Sequence, residues 1–481
     1  MWSYNSIAKT GAISNMGNVV LLTPDGIGVR NFVLGQFLRQ ASKKGQVVHI
    51  LHIIPDNLLP NYSSTLNGHA QWHSLISYQD KPLSFILRRS LSYAQMYWVD
   101  SRPMRYMRSQ PVVGSWRTRT AAHAARLIGR AAAAPSRMRM LDRWHCSAVS
   151  RLPEVAHYRQ LFQRIKPSVL FCSHQRPVEI LPPVLAARSL GIPTATFIFS
   201  WDNLTSKGRI AAPFDDYLVW SDHMRQELLH YYPDVSHERV HVVGTPQFDP
   251  YADGSLIWPR EKFFSKVGAD PVRPLICYSG GDAGGCPEDP EHVAVLMDLI
   301  RAGRVKGNPQ VLLRPMPVDD GRRYDKVRSN YPELIYARPA WVHTEPGNWS
   351  RVIPLPEDIQ FLANLTHFAD LNINLASTMT LDFAIHDKPV VNVAFNVASP
   401  PPFGAPCWEF NYQFEHYRPV VELGAARFAR SPEEFATRIN AYLKDPSLDR
   451  DNRRRLVELE VGVPLGQSSQ RIVEVLGAIA R

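Results

Sequence analysis

No run of 18 apolar residues occurs in this 481-residue chain, so no segment reads as a bilayer-spanning helix. The first residues lack the charged flank, apolar core and small-residue cleavage site of a secretory leader, and a cytoplasmic location is expected. There are five cysteines, Cys146, Cys172, Cys277, Cys286 and Cys407, an odd number, widely scattered and without metal-ligand spacing. That pattern gives no basis for a disulfide framework or a zinc site, and reduced thiols are expected. No internal repeat is evident, and the only low-complexity tract is the alanine-rich 121–134. A strict Gly-x-Gly-x-x-Gly fingerprint is also missing, since the first glycine turn offers only Gly26 and Gly28; this argues against nicotinamide or flavin binding.

What is present is the composition of a globular protein: 45% hydrophobic residues, ample for sizeable cores. At about 100 to 200 residues per domain, the length predicts two to four domains. The net charge of +10 is unevenly placed. Between Arg88 and Arg143 there are twelve arginines and no lysine against Asp100 and Asp142, so this segment alone accounts for the whole excess. Tyr93, Met96, Tyr97, Trp98, Met104, Tyr106, Met107, Trp116, Met138, Met140 and Trp144 interleave with the arginines. Helices of that kind suit an anionic bilayer surface; the same pattern also suits a solvated face packed by aromatics behind it, or a pocket for an acidic acceptor. Nucleic-acid binding would rest on this segment alone, with no accompanying motif, and is not expected.

Along the chain, short apolar strands alternate with helical patterns. Val19 to Thr23 reads as a buried strand, and Pro24 to Phe32 as a glycine turn opening a helix, with Asp25, Gly26, Gly28 and Arg30 in the turn. Val47 to Ile54 gives a second strand. After an arginine-rich helical excursion at about 88–150, Ser168 to His174 resumes the alternation, followed by a helix near 180–190 and a strand from Thr194 to Phe199. The polar run Ser200-Trp201-Asp202-Asn203-Leu204-Thr205-Ser206-Lys207-Gly208-Arg209 then falls where a doubly wound sheet keeps its site. Trp201 offers a stacking face, Asp202 a candidate base, and Lys207 and Arg209 phosphate contacts. His174, at a strand end, is a third candidate base or a plain structural histidine.

Further on, Leu371, Ile373 and Leu375 alternate as a strand; a hydroxyl cluster, Ser377, Thr378 and Thr380, opens a short helix carrying Asp382, and Pro389 starts the next strand. In such a unit the turn lies at the carboxyl edge of the sheet, where N–H groups and hydroxyls can hold a diphosphate and Asp382 can accept from a ribose. Ser377 as an N-cap with a first-turn acid is the alternative. Ser431-Pro432-Glu433-Glu434 sets a cap, an N1 proline and an N3 acid in order for a late helix.

This stretch, together with Ile276 to Gly281, Val311 to Pro317, His343 to Asp370 and the Gly244-Thr245-Pro246-Gln247-Phe248-Asp249 run, resembles the GT-B glycosyltransferases. It is most similar to the CDP-glycerol glycerophosphotransferase branch, while Ser200 to Arg209 resembles a segment of bacterial surface-carbohydrate biosynthesis proteins. The resemblance implies an α/β fold of two Rossmann-like domains with parallel sheets facing a cleft: an acceptor domain over 1–255, a donor domain over 256–465 and a closing helix in 466–481 returning to the first. It implies transfer from a UDP, GDP or CDP conjugate to a carbohydrate or lipid-linked acceptor, with Ser279, Gly280, Gly281, Arg314, Ser377, Thr378, Thr380 and Asp382 on the donor. Gly26, Gly28, Arg30, Trp201, Lys207 and Arg209 would meet acceptor or phosphate, and Asp25, Asp202 and His174 are the candidate bases. Neither Asp215-Asp216 nor Asp319-Asp320 has the Asp-x-Asp spacing of metal-dependent transferases, so no metal and no cofactor is expected. Asn374 stands where many retaining members carry an acid, which favours inversion. A non-hydrolysing UDP-sugar 2-epimerase and a non-catalytic nucleotide-sugar binding protein remain alternatives.

Overall fold

A computed structural model of the chain describes residues 17–63, 70–345, 348–398, 407–462 and 464–480. The opening residues, on which the expectation of no leader rests, and the Cys407 side chain lie outside the described residues. Seven strands form the first sheet: β1 (Val19–Thr23), β2 (Val48–His52), β3 (Ala70–Ser74), β4 (Val169–Cys172), β5 (Thr194–Phe197), β6 (Asp216–Val219) and β7 (Val240–Val242). Their order is β3-β2-β1-β4-β5-β6-β7, parallel throughout. The central strand β1, Val-Val-Leu-Leu-Thr, is buried along its whole length, as a parallel strand covered on both faces must be.

The second sheet runs β10-β9-β8-β13-β14-β15, with β8 (Leu275–Ser279), β9 (Gln310–Arg314), β10 (Ile335–Tyr336), β13 (Leu371–Asn374), β14 (Val390–Val393) and β15 (Arg427–Ala429), again parallel. A separate antiparallel hairpin joins β11 (Trp341–His343) to β12 (Val352–Pro354). Each sheet therefore reverses strand order once, between β1 and β4 in the first and between β8 and β13 in the second. In open α/β sheets those are the places where ligands bind.

The arginine-rich excursion is four helices, Pro82–Val99, Arg102–Ser109, Trp116–Ala131 and Pro135–Ser150, set into the crossover between β3 and β4. Ser101 and Ser115 cap the second and third by accepting from Met104 N and Thr118 N. The Ser431 hydroxyl likewise accepts from Glu434 N at the start of Pro432–Lys444. The last helix, Ser468–Ile479, packs on the first domain: Asp249 accepts from Ser468 N at 3.0 Å and Ser469 N at 2.8 Å, and Arg471 Nε reaches Val243 O at 2.8 Å. Among the described residues no helix is long and apolar enough to cross a membrane.

Candidate active site

The loops after β1 and β4 meet at the first switch point and bring together two residues 149 positions apart: Asp25 and His174 Nδ1 are hydrogen-bonded, both buried. Asp25 also caps the turn that follows it, accepting from Gly28 N at 2.8 Å. Burial opposes the charge on Asp25, but the His174 ring and the N–H groups of Gly28 and Ile27 outweigh it, holding the carboxyl below its ordinary value. For His174 burial dominates, and Asp25 only partly offsets it, so the ring sits below its ordinary value. Its Nε2 is buried and, among the described residues, has no hydrogen-bond partner. Phe199, two residues beyond β5, stacks on the ring at 3.9 Å and 13°, and Trp349 of the second domain meets Phe199 edge-on at 6.5 Å. An imidazole fixed at Nδ1 and bare at Nε2 has the form of a general base awaiting an acidic hydrogen.

The turn's glycines serve close approach. A Cβ on Gly26 would collide with the Val352 carbonyl of the β11–β12 hairpin, and one on Gly28 with the Ser173 hydroxyl. Arg30 bonds Asn31 Oδ1 at 2.9 Å and lies within electrostatic reach of Asp382, Asp358 and Arg314.

Asp202 is fully engaged. Ser206 Oγ donates to it at 2.8 Å, Asn203 Nδ2 at 3.0 Å, and Lys207 Nζ stands 3.5 Å away. Burial works against its charge, but Lys207, His416 and the hydroxyls of Ser200 and Ser206 prevail, and the carboxyl lies well below the usual range. Trp201 is buried between the domains, edge-on to His416 at 5.3 Å and Tyr417 at 5.7 Å. Arg209 is placed apart from this cleft: its Nε meets both Asp142 oxygens, at 3.2 and 3.0 Å, and its Nη1 meets Gln95 Oε1 at 2.8 Å, which ties the polar turn to the helical excursion.

At the second switch point, Ser377 and Thr378 sit half-exposed after β13, preceded by Ala376 in a left-handed conformation at φ 48° that a non-glycine residue adopts only under local constraint. Thr380 is buried and bonds Tyr417 Oη at 2.8 Å. Ser279 is also buried, its hydroxyl taken by Asn372 Nδ2 at 2.8 Å, while Gly281 N donates to Asp289 at 2.7 Å and a Cβ on Gly280 would strike Tyr324. Arg314 places Nη2 on both oxygens of Asp358 at 2.9 Å; its buried Nη1 has no hydrogen-bond partner among the described residues. Asp382 lies buried at the domain junction, where Tyr251, near the end of the first domain, donates to it. Burial pushes this carboxyl up, with Tyr251 and Arg30 offsetting part of the rise, to about 6.

Beneath the hydroxyl turn lies a network that the strand pattern did not reveal. Asn374 Nδ2 donates to Asn372 Oδ1 at 2.6 Å; its Oδ1 accepts from Ser377 N at 3.0 Å and from Asn392 Nδ2 at 3.0 Å, and Tyr417 Oη donates to Asn392 at 2.9 Å. The available signal was asparagine at alternating positions in strands otherwise apolar. Phe199 closed a visible strand and Trp349 fell within the 343–370 run of the GT-B resemblance, but neither they nor Tyr251 stood out as site residues.

No protein-family profile and no curated protein sequence matches the chain. Among solved structures, it is similar to a glycosyltransferase from Rickettsia africae, at TM-score 0.53 and 11% identity over 97% of this chain and 100% of that one. It is likewise similar to the UDP-GlcNAc 2-epimerase of Neisseria meningitidis bound to UDP-GlcNAc, at TM-score 0.52 and 10% identity over 95% and 98%. With the two sheets and their switch points, these likenesses establish the GT-B fold.

Proposed function

We propose that this protein is a glycosyltransferase, or a related glycerophosphotransferase, that moves a group from a UDP, GDP or CDP donor to a hydroxyl of a cell-surface carbohydrate or lipid-linked acceptor. The Asp25–His174 pair carries the assignment, because a neutral imidazole held by a carboxylate and bare at Nε2 is what an acceptor hydroxyl needs. Asp25 is the positioning residue: it fixes the tautomer and steadies the imidazolium that forms. Asp202, ionised and surrounded by donors, is the weaker candidate base, since a carboxylate so stabilised gains little from a proton. In the glycosyl case the acceptor oxygen attacks the donor carbon as its proton passes to His174 Nε2. The bond from that carbon to the diphosphate breaks, and a single displacement inverts the centre.

The departing charge would be met by Ser377, Thr378 and nearby N–H groups, with Arg314 behind them. A metal-independent transfer fits the two acidic pairs, whose members are each engaged by arginine: Asp215 by Arg188, Asp216 by Arg239, Asp319 by Arg323 and Asp320 by Arg322. We place the enzyme in the cytoplasm at the inner face of the membrane, on the strength of the arginine-rich helices.

A thermal-shift screen against UDP, GDP, CDP and ADP conjugates tests donor binding, since a ligand at 100 times its dissociation constant stabilises by about 2.7 kcal/mol. Ser377→Ala should weaken that binding by about 1 to 3 kcal/mol. Asp25→Asn and His174→Gln should keep it and lower turnover by about 10² to 10⁴. Sugar isomerisation without an acceptor would identify a 2-epimerase, consistent with the Neisseria likeness. Donor binding with no turnover of any acceptor would identify a binding protein.

A further inference from the structure

The third and fourth helices of the excursion bury only part of their surface. Trp116–Ala131 turns Ala122, Ala125 and Gly129 inward, so close to Pro82–Val99 that a Cβ on Gly129 would collide with Tyr93 and the Ser90 carbonyl. The outer side leaves large apolar groups in water: Leu127 is 71% exposed, Trp116 70% and, on Pro135–Ser150, Trp144 53%. Just before the third helix the turn Pro111-Val112-Val113-Gly114-Ser115 projects Val113, 87% exposed. From Ser101 to Leu141 there is no acidic residue. Arg117, Arg119, Arg130, Arg137 and Arg143 are exposed and, among the described residues, make no ion pair.

We propose that the 110–116 turn and the outward sides of helices Trp116–Ala131 and Pro135–Ser150 dock on an anionic phospholipid bilayer, the Val113–Trp116 tip entering the interface while the five unpaired arginines meet headgroup phosphates. Aliphatic groups this exposed gain from acyl chains and gain nothing from a phosphodiester backbone, which sets a lipid surface above a nucleic acid. The helix Arg102–Ser109 that leads into this face is fastened to both domains. Ser101 Oγ donates to the Thr205 carbonyl in the polar turn after β5; Arg102 N donates to Glu415 at 3.0 Å, and Tyr106 stacks on Phe410 of the second domain at 4.9 Å. Resting on the transferase assignment, the further consequence is that the acceptor is an amphiphile carried in the membrane, presented at the cleft mouth beside this face.

Co-sedimentation of the full chain with vesicles of phosphatidylcholine alone, or of phosphatidylcholine and phosphatidylglycerol at 3:1, tests the surface. Binding to the anionic vesicles only is expected, weakening with salt. Replacing the five unpaired arginines with Gln should reduce it by more than about 100-fold, since each cation near the surface contributes about fivefold before screening. Val113→Ser with Trp116→Ser should leave low-salt binding and abolish what persists at high salt. Both variants should keep the parental thermal midpoint and nucleotide-sugar binding, so a fold defect would be seen separately. Failure of the parent to bind anionic vesicles, or parental binding by the five-arginine variant, overturns the proposal, as does salt-sensitive RNA binding without vesicle binding. None of these results touches donor binding in solution, so the surface and the transferase assignment stand or fall apart.

Discussion

Asp382→Asn offers a quantitative test of the domain junction. The carboxyl is buried, accepts from Tyr251 and titrates near 6 where an exposed aspartate would titrate at 3.8. The difference is roughly 2 pKa units at about 1.4 kcal/mol each, so ionising Asp382 within the folded protein costs about 3 kcal/mol once the pH is well above 6. A group whose folded pKa is raised contributes stability that is complete below its unfolded pKa and lost as pH rises through the folded value. The loss therefore runs from about pH 4 to pH 7. Asparagine does not titrate, still accepts from Tyr251, and leaves Arg30 with Asp358 as a counter-charge. Relative to the parent, Asp382→Asn should gain about 1.5 kcal/mol at pH 5 and about 3 kcal/mol at pH 8. Urea unfolding followed by tryptophan fluorescence, parent and variant side by side at each pH, cancels every other titrating group. A stability difference that does not change between pH 5 and pH 8 would falsify the account of a buried, destabilised carboxylate at this junction.

Two substitutions probe the scaffolding of the site. Gly26→Ala sets a methyl group against the Val352 carbonyl and should cost about 1 to 3 kcal/mol in urea unfolding as the β11–β12 hairpin is pushed away from the first domain; an unchanged midpoint would show that the hairpin yields freely. Asn374→Ala removes at once the donor to Asn372 Oδ1 and the acceptor of Ser377 N and Asn392 Nδ2, so a loss of about 2 kcal/mol or more is expected together with weakened donor binding, and a neutral outcome would mean water replaces the side chain.

The local elements were legible in the sequence because their causes are local. Fully apolar runs such as Val19 to Leu22 specify strands buried on both faces, and Ser431 with Pro432 and Glu434 specifies a helix start from groups within one turn. Glycine turns and hydroxyl turns after strands marked the carboxyl edges, where Asp25, His174, Ser377 and Thr378 follow β1, β4 and β13. Their relations were not legible, since each depends on strand order. Only the adjacency of β1 and β4 joins Asp25 to His174, and only the domain junction delivers Tyr251 to Asp382 and Trp201 to Tyr417. Alternation in Leu371-Asn372-Ile373-Asn374 announces a strand without telling that its polar side is covered too, and the Asn372–Asn374–Asn392 network exists because β8 and β14 flank β13. Charge behaves in the same way: the sequence fixes that Arg209 is cationic, while packing against Asp142 and Gln95 makes it a brace of the excursion and leaves Arg117, Arg119 and Arg130 facing solvent. Periodicity and capping act over a few residues, whereas pKa, partner and exposure are set by whatever the chain brings alongside from far away.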